Sequence, residues 1–248
     1  MVPVLVAPID VLLTTALKTM PTKPPDSAAP SVKKAYSEKL SAKVALAMAD
    51  ELRHRGMRDA RPSGPGGVGA SGAERRLAGG IGAKKVDVTW ATEESGLLLG
   101  ISVKTINFRD GRSKNFQKNL TNRRSDMLGE ALTLHRRSPY AVVAGFLFLD
   151  KDAKSDQTKK RNLTFVNAFP RLRIFTGRED LAGRDELFER LDLLLVDANP
   201  FTPTLECYQV NDATTQVPIE DALDELVVLV AEQNFDFYEA HGGTIRRA

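Results

Sequence analysis

Asp87, Ser102 and Lys104 are the residues whose types and spacing could do chemistry. They lie on two largely apolar arms, Lys84 to Trp90 and Leu97 to Lys104, joined by Glu93-Glu94-Ser95-Gly96. Arms rich in β-branched and apolar residues about a polar turn predict a β-hairpin. Folded between Glu94 and Ser95, the hairpin sets Asp87 opposite Ser102. Side chains alternate along a strand, so Asp87, Ser102 and Lys104 share one face. An acid and an ammonium on an apolar sheet are costly to bury unless they pair or hold a metal. The hairpin therefore carries either an ordinary Asp–Lys pair or the floor of a site.

This spacing resembles the PD-(D/E)xK nuclease superfamily, the fold of many restriction endonucleases. The family pattern is an acid at the end of one strand and an acid-x-Lys triplet on the next. Asp87 matches the first acid and Lys104 the lysine, with Val86 where proline is common and Ser102 where the second acid is expected. A subset of restriction enzymes carries Ser-x-Lys and brings that acid from the following helix. The resemblance covers residues 35–150. It implies Mg²⁺ held by Asp87, the main-chain carbonyl of Val103 and a further acid, with Lys104 positioning or activating the attacking water. Ser102 could hydrogen-bond a bound water but cannot replace a carboxylate's charge.

Three acids compete for the missing place. The pattern after the hairpin predicts a helix from Asn115 to Arg137 with Leu120, Met127, Ala131 and Leu134 on one face. Glu130 falls at the edge of that face, where a side chain reaches both sheet and cleft; Asp126 lies further out. Glu74 precedes the hairpin, in Glu74-Arg75-Arg76-Leu77-Ala78, which reads as one or two helical turns. Several nucleases of the superfamily carry an extra acid on a helix at that place. An exposed Glu beside two arginines is the alternative. His135 falls within the apolar arc and reads as a satisfied core histidine.

The elements that must position these residues follow in order. Residues 1–30 read as a short apolar element and a Pro-rich linker, and 31–248 as a single domain. Val32, Tyr36, Leu40, Val44, Met48 and Leu52 predict a helix from Ser31, its N-cap, to Met57, ended by Gly56. Residues 61–73 read as a flexible glycine-rich loop that does not match a Walker A, because no Gly-Lys-Ser/Thr follows. The apolar run Tyr140 to Leu149 predicts a central strand buried on both faces. A kinked helix from Thr164 to Phe175 follows, then strands at Leu191–Val196 and Leu205–Val210. The last element is a helix from Pro218 to Tyr238 with Phe235 on its apolar side, acidic outside, suited to a lid or a dimer contact. This order predicts an α/β fold, a central mixed β-sheet flanked by helices.

Charge separates along the chain. Seven basic residues and one acid lie between Lys104 and Arg124, eight basic residues and two acids between Lys151 and Arg178. From Phe201 to Glu239 there are nine acids and no Lys or Arg, so the middle is suited to meet a polyanion and the tail is not. Asn107, Arg109, Lys114, Lys118, Arg123 and Arg124 are the expected DNA contacts. One cysteine, Cys207, excludes an intramolecular disulfide and a Cys-rich zinc site, and fits a reducing, cytoplasmic setting. Val2 to Leu17 is broken by Pro3, Pro8 and Asp10, too short for a membrane span. The expectation is a Mg²⁺-dependent endonuclease acting on double-stranded DNA, a type II restriction enzyme or related phage-defence nuclease. Such an enzyme implies a homodimer and a cognate DNA methyltransferase. The alternatives are an inactive nucleic-acid-binding or assembly protein of the same fold, with Ser102 marking the loss, and a generic α/β interaction domain.

Overall fold

A computed structural model describes residues 9–64, 75–79, 82–179 and 183–248. Helices α1 (Ile9–Lys18) and α2 (Pro30–His54) come first, then strands β1 (Arg75–Gly79), β2 (Gly82–Val86), β3 (Val88–Thr92) and β4 (Gly96–Ile106). Next are α3 (Gln117–Arg137), β5 (Val142–Asp150), α4 (Thr164–Leu172), β6 (Arg190–Asp197), β7 (Thr204–Gln209) and β8 (Gln216–Val217). Helix α5 (Ile219–Gln233) and strands β9 (Tyr238–His241) and β10 (Thr244–Arg247) close the chain.

Strands β3 to β8 form one six-stranded sheet in sequence order. The β4–β5 and β5–β6 pairs are parallel and the outer pairs antiparallel. Parallel neighbours need a crossover, which α3 supplies between β4 and β5 and α4 between β5 and β6. The fold is thus mixed α/β, with helices on both faces of a mixed sheet.

Strand β5 explains why both faces are covered. Its residues Val142 to Leu149 are all buried. Val142, Ala144, Phe146 and Phe148 turn to a core shared with α1, α2 and α5. Val143, Leu147 and Leu149 turn to a second core under α3 and α4. Ile9, Leu13 and Leu17, four residues apart on α1, are buried in the first core, so part of the 1–30 segment packs with the sheet.

Gly145 sets the height of α3. A Cβ at this position would lie 2.5 Å from Met127 Cε and 2.6 Å from Leu191 Cδ1. Gly100 does the same on β4, where a Cβ would come within 3.2 Å of Leu134 Cδ1. Gly145→Val is therefore expected to destabilise the protein by about 1–3 kcal/mol, the usual cost of overpacking a filled core. The midpoint of urea unfolding measures it, and an unchanged midpoint would contradict this packing.

Several expectations need correction. Residues 75–79 form β1, paired antiparallel with β2, and not helical turns. Helix α2 starts one residue before Ser31: Ala29 is its N-cap and Pro30 takes the first turn, where a missing N–H costs nothing. Gly56 follows the α2 end with φ +98°, as a C-terminal glycine should. Helix α5 ends at Gln233, so Phe235 lies beyond it and is 73% exposed. Its terminus is held by Asn234 Nδ2, which donates to the Val230 carbonyl at 3.0 Å.

The β9–β10 hairpin was not anticipated, although its signal is present. Gly242 and Gly243 form the two-residue turn with φ +54° and +71°, the left-handed pair such hairpins need. Arg55, buried at the end of α2, donates to Glu51 at 2.8 Å, to Asp224 of α5 and to the Gly243 carbonyl at 3.1 Å. It ties the C-terminal hairpin to two helices.

Cys207 on β7 is 2% exposed, and burial pushes its thiol well above the usual range. A thiol so held carries no thiolate at neutral pH. Ellman's reagent is expected to titrate it only after denaturation; immediate reaction with the folded protein would contradict this placement. Among the described residues, no helix is long and apolar enough to cross a membrane.

Candidate active site

The hairpin positions the site through a compensated register. Its turn closes with Thr92 opposite Gly96, one residue away from the alignment that sets Asp87 against Ser102. A bulge restores that alignment: Ala91 pairs Leu97 and Trp90 pairs Leu99, leaving Leu98 as the extra residue. From there Val88 faces Ile101. The chain bends at Asp87, between β2 and β3, and β2 leaves to pair with β1.

Beyond Ile101, β3 no longer pairs with β4. The Asp87 carboxylate takes over, accepting the Val103 N–H at 2.7 Å. In an extended strand the N–H and C=O of one residue face the same neighbour. The Val103 carbonyl therefore shares the edge that Asp87 occupies.

Lys104 closes the constellation. Its Nζ lies 2.8 Å from Glu130 Oε1 and 3.3 Å from Asp87 Oδ2. Ser102 Oγ donates to the other Glu130 oxygen, Oε2, at 2.5 Å. The side chains of Asp87, Lys104 and Glu130 are 12–13% exposed. Burial raises the Glu130 carboxyl above its ordinary value, against the pull of Lys104 and Ser102. Burial alone would lower the Lys104 pKa, but the carboxylates of Glu130 and Asp87 outweigh it and hold the ammonium above its usual value. Lys104 is thus a fixed positive charge at neutral pH.

Helix α3 delivers Glu130 because Met127, Ala131 and Leu134 are buried against the sheet, and Glu130 sits one turn beyond Met127. The floor opens into a cleft of about 740 Å³ that Asp87, Val103, Lys104 and Glu130 line. Lys33, Lys34, Ser37 and Glu38 of α2 form one wall. Arg109, Asn119, Arg123 and Asp126 belong to the other.

The sequence-predicted residues divide clearly. Asp87, Ser102, Val103, Lys104 and Glu130 come together. Ser102 acts on Glu130 through its hydroxyl, which fixes the acid rather than a water. Glu74 lies outside the described residues. Asp126 lines the cleft but is exposed and pairs with Arg123 at 3.3 Å. Arg109 also lines the cleft, tied to Asp152 at 3.1 Å. Asn107 is buried and donates to Ser37 Oγ at 3.0 Å, bracing α2 against the end of β4. Lys118 is exposed and pairs with Asp110 at 2.9 Å, and Lys114 is exposed on the loop before α3. Arg124 lies over the Phe175 ring, 5.8 Å from its centre.

His135 is a satisfied core histidine. Its Nδ1 lies 2.8 Å from the Asp185 carbonyl and its Nε2 3.2 Å from Glu189. Glu189 also accepts the Val143 N–H at 2.8 Å and pairs with Arg178 at 2.7 Å.

Glu38, like Asp110, is a cleft acid that sequence reasoning missed. Periodicity buried Tyr36, Leu40 and Val44 and left both flanks of α2 open. The contact between the Ser41 and Thr105 hydroxyls, at 3.3 Å, and the Asn107–Ser37 bond reveal which flank meets the end of β4.

The donor set suits a hard cation. Among the described residues, no group of three or more His, Cys, Asp and Glu side chains is gathered to hold a metal ion. Mg²⁺ does not need one: it keeps several waters and takes one or two carboxylates at oxygen-only sites. Asp87, Glu130 and the Val103 carbonyl are such a set, and the Lys104 ammonium between the carboxylates marks a place where positive charge is stabilised.

Compared with known proteins, the chain matches no family model, no curated protein and no solved structure.

Proposed function

We propose that the chain is a Mg²⁺-dependent endonuclease that hydrolyses phosphodiester bonds of double-stranded DNA. In this reading it has a restriction-endonuclease-like fold and the Ser-x-Lys form of the PD-(D/E)xK site. One observation carries the proposal: Asp87, Glu130 and Lys104 converge around Val103 at the floor of an open cleft. Each would serve its place in the chemistry. Asp87 and Glu130, with the Val103 carbonyl, would hold the ion, which supplies charge neutralisation and an acidified water. Ser102 keeps the Glu130 carboxylate turned inward.

Lys104, held beside both carboxylates at the cleft floor, would act electrostatically. It offsets negative charge that builds on the phosphoryl oxygens as water adds to phosphorus and the P–O bond to the leaving oxygen breaks. An inward Glu130 also favours an enzyme over an inactive binder of the same fold, for which an acid pointing to solvent is expected.

A type II restriction enzyme or related phage-defence nuclease is the role we favour. It would work in the cytoplasm as a homodimer, one site per strand, beside a cognate methyltransferase. The test is conversion of supercoiled plasmid to nicked or linear form. It is expected with Mg²⁺ and absent with EDTA; cleavage that persists in EDTA would refute the metal-dependent scheme.

A further inference from the structure

The fold disperses the basic residues that the sequence gathers. Arg124 turns to Phe175, Lys154 pairs with Glu206 at 2.5 Å, and Lys118 pairs with Asp110 at 2.9 Å. Only Arg109 and Arg123 of that group line the cleft above Lys104. The other wall carries Lys33 and Lys34, on the first turns of α2. Both lie on a helix whose charge pattern gave no reason to expect a binding role.

Their surroundings leave them available to a phosphate. Lys33 Nζ, half-buried, donates to the Asp26 carbonyl at 3.0 Å and lies 5.8 Å from the centre of the Phe108 ring, and Lys34 lies 3.7 Å from Glu38, where both partners of the pair are exposed. Exposed contacts of this kind contribute little and can be exchanged for a phosphate oxygen. Pro30, at the start of α2, also lines the cleft, and Ala29 makes no side-chain cap there.

We propose that the first turns of α2 are a second DNA-contact surface, on which Lys33 and Lys34 hold the sugar-phosphate backbone of duplex DNA across the cleft from Arg109 and Arg123. The inference rests on the nuclease reading and adds residues and an orientation to it: the duplex runs between α2 and the wall formed by the 108–111 loop and α3. Lys39 and Lys43 lie on the same helix but do not line the cleft, so they take no part.

The test is fluorescence anisotropy of a short fluorescein-labelled duplex over a series of KCl concentrations, in EDTA so that nothing is cut. Each lost phosphate contact lowers the slope of log affinity against log salt by about 0.9. Lys33→Gln/Lys34→Gln is expected to lower it by about 1.8, and Lys34→Gln alone by about half of that. Lys39→Gln/Lys43→Gln removes the same charge from the same helix and is expected to keep the wild-type slope. Equal losses in the two double variants, or no loss in the first, would overturn the proposal. Absence of binding by the wild type both in EDTA and with Ca²⁺ in place of Mg²⁺ would instead overturn the nuclease reading beneath it.

Discussion

Asp87→Ala is expected to lower the single-turnover rate of DNA cleavage by about 10³-fold or more. Metal-assisted charge stabilisation is worth several kcal/mol, and every 1.36 kcal/mol is about tenfold in rate. Asp87 has two tasks, so the substitution removes more than a ligand. Its carboxylate accepts the Val103 N–H at 2.7 Å where the β3 ladder has ended, and it lies 3.3 Å from the Lys104 ammonium. Asp87→Asn separates the tasks, because an amide oxygen can still accept the Val103 N–H but carries no charge. The asparagine variant is expected to keep the unfolding midpoint near wild type while losing cleavage like alanine. The alanine variant is expected to lose about 1–3 kcal/mol of stability as well, the usual cost of an orphaned buried donor. Wild-type rates in Asp87→Asn would remove Asp87 from the chemistry.

Glu130→Ala is expected to cost as much activity, and Ser102→Asp to restore part of it. Ser102 Oγ lies 2.5 Å from Glu130 Oε2, so a carboxylate on residue 102 reaches the place that Glu130 vacates. The double variant Ser102→Asp/Glu130→Ala should therefore cleave at least about tenfold faster than Glu130→Ala, since a restored ligand recovers a good part of the lost charge stabilisation. Ser102→Asp alone is expected to be less stable than wild type. It would crowd two acids and Asp87 around one lysine in a poorly solvated place. Single-turnover cleavage and urea unfolding of the four proteins measure both effects. No gain from the second acid would mean that Glu130 acts through something other than its position.

Local chemistry made much of the fold legible. Strand β5 announced itself as an unbroken apolar run because only a strand with two covered faces tolerates one. Helix α3 was visible in its three- and four-residue steps, and the edge position of Glu130 followed from them. The hairpin was legible in outline, and its register near Asp87 matched the simple fold about Glu94 and Ser95. The bulge at Leu98 was not legible, since an apolar residue there fits either arm; it corrects an uneven turn that the sequence treats as even.

What failed depended on distant partners. Arg75 to Gly79 forms a strand because β2 is there to pair with it, which overrides a weak local preference. Basic residues were counted along the chain, whereas Asp110, Glu206 and Phe175 decide where they point. Lys33, Lys34 and Glu38 escaped notice because periodicity tells the buried stripe of a helix from its exposed side, not which exposed flank borders a cleft.

The central claim is that Asp87 and Lys104 belong to a DNA-cutting site, and digestion of unmethylated phage DNA with Mg²⁺ tests it most directly. Wild type, Asp87→Ala and Lys104→Ala would be compared at equal concentration, each checked for folding by circular dichroism. Discrete fragments from the wild type alone are the expected result, and their ends would give the recognition site. Folded variants that cut as well as the wild type, or a wild type that leaves the DNA intact, would contradict the account.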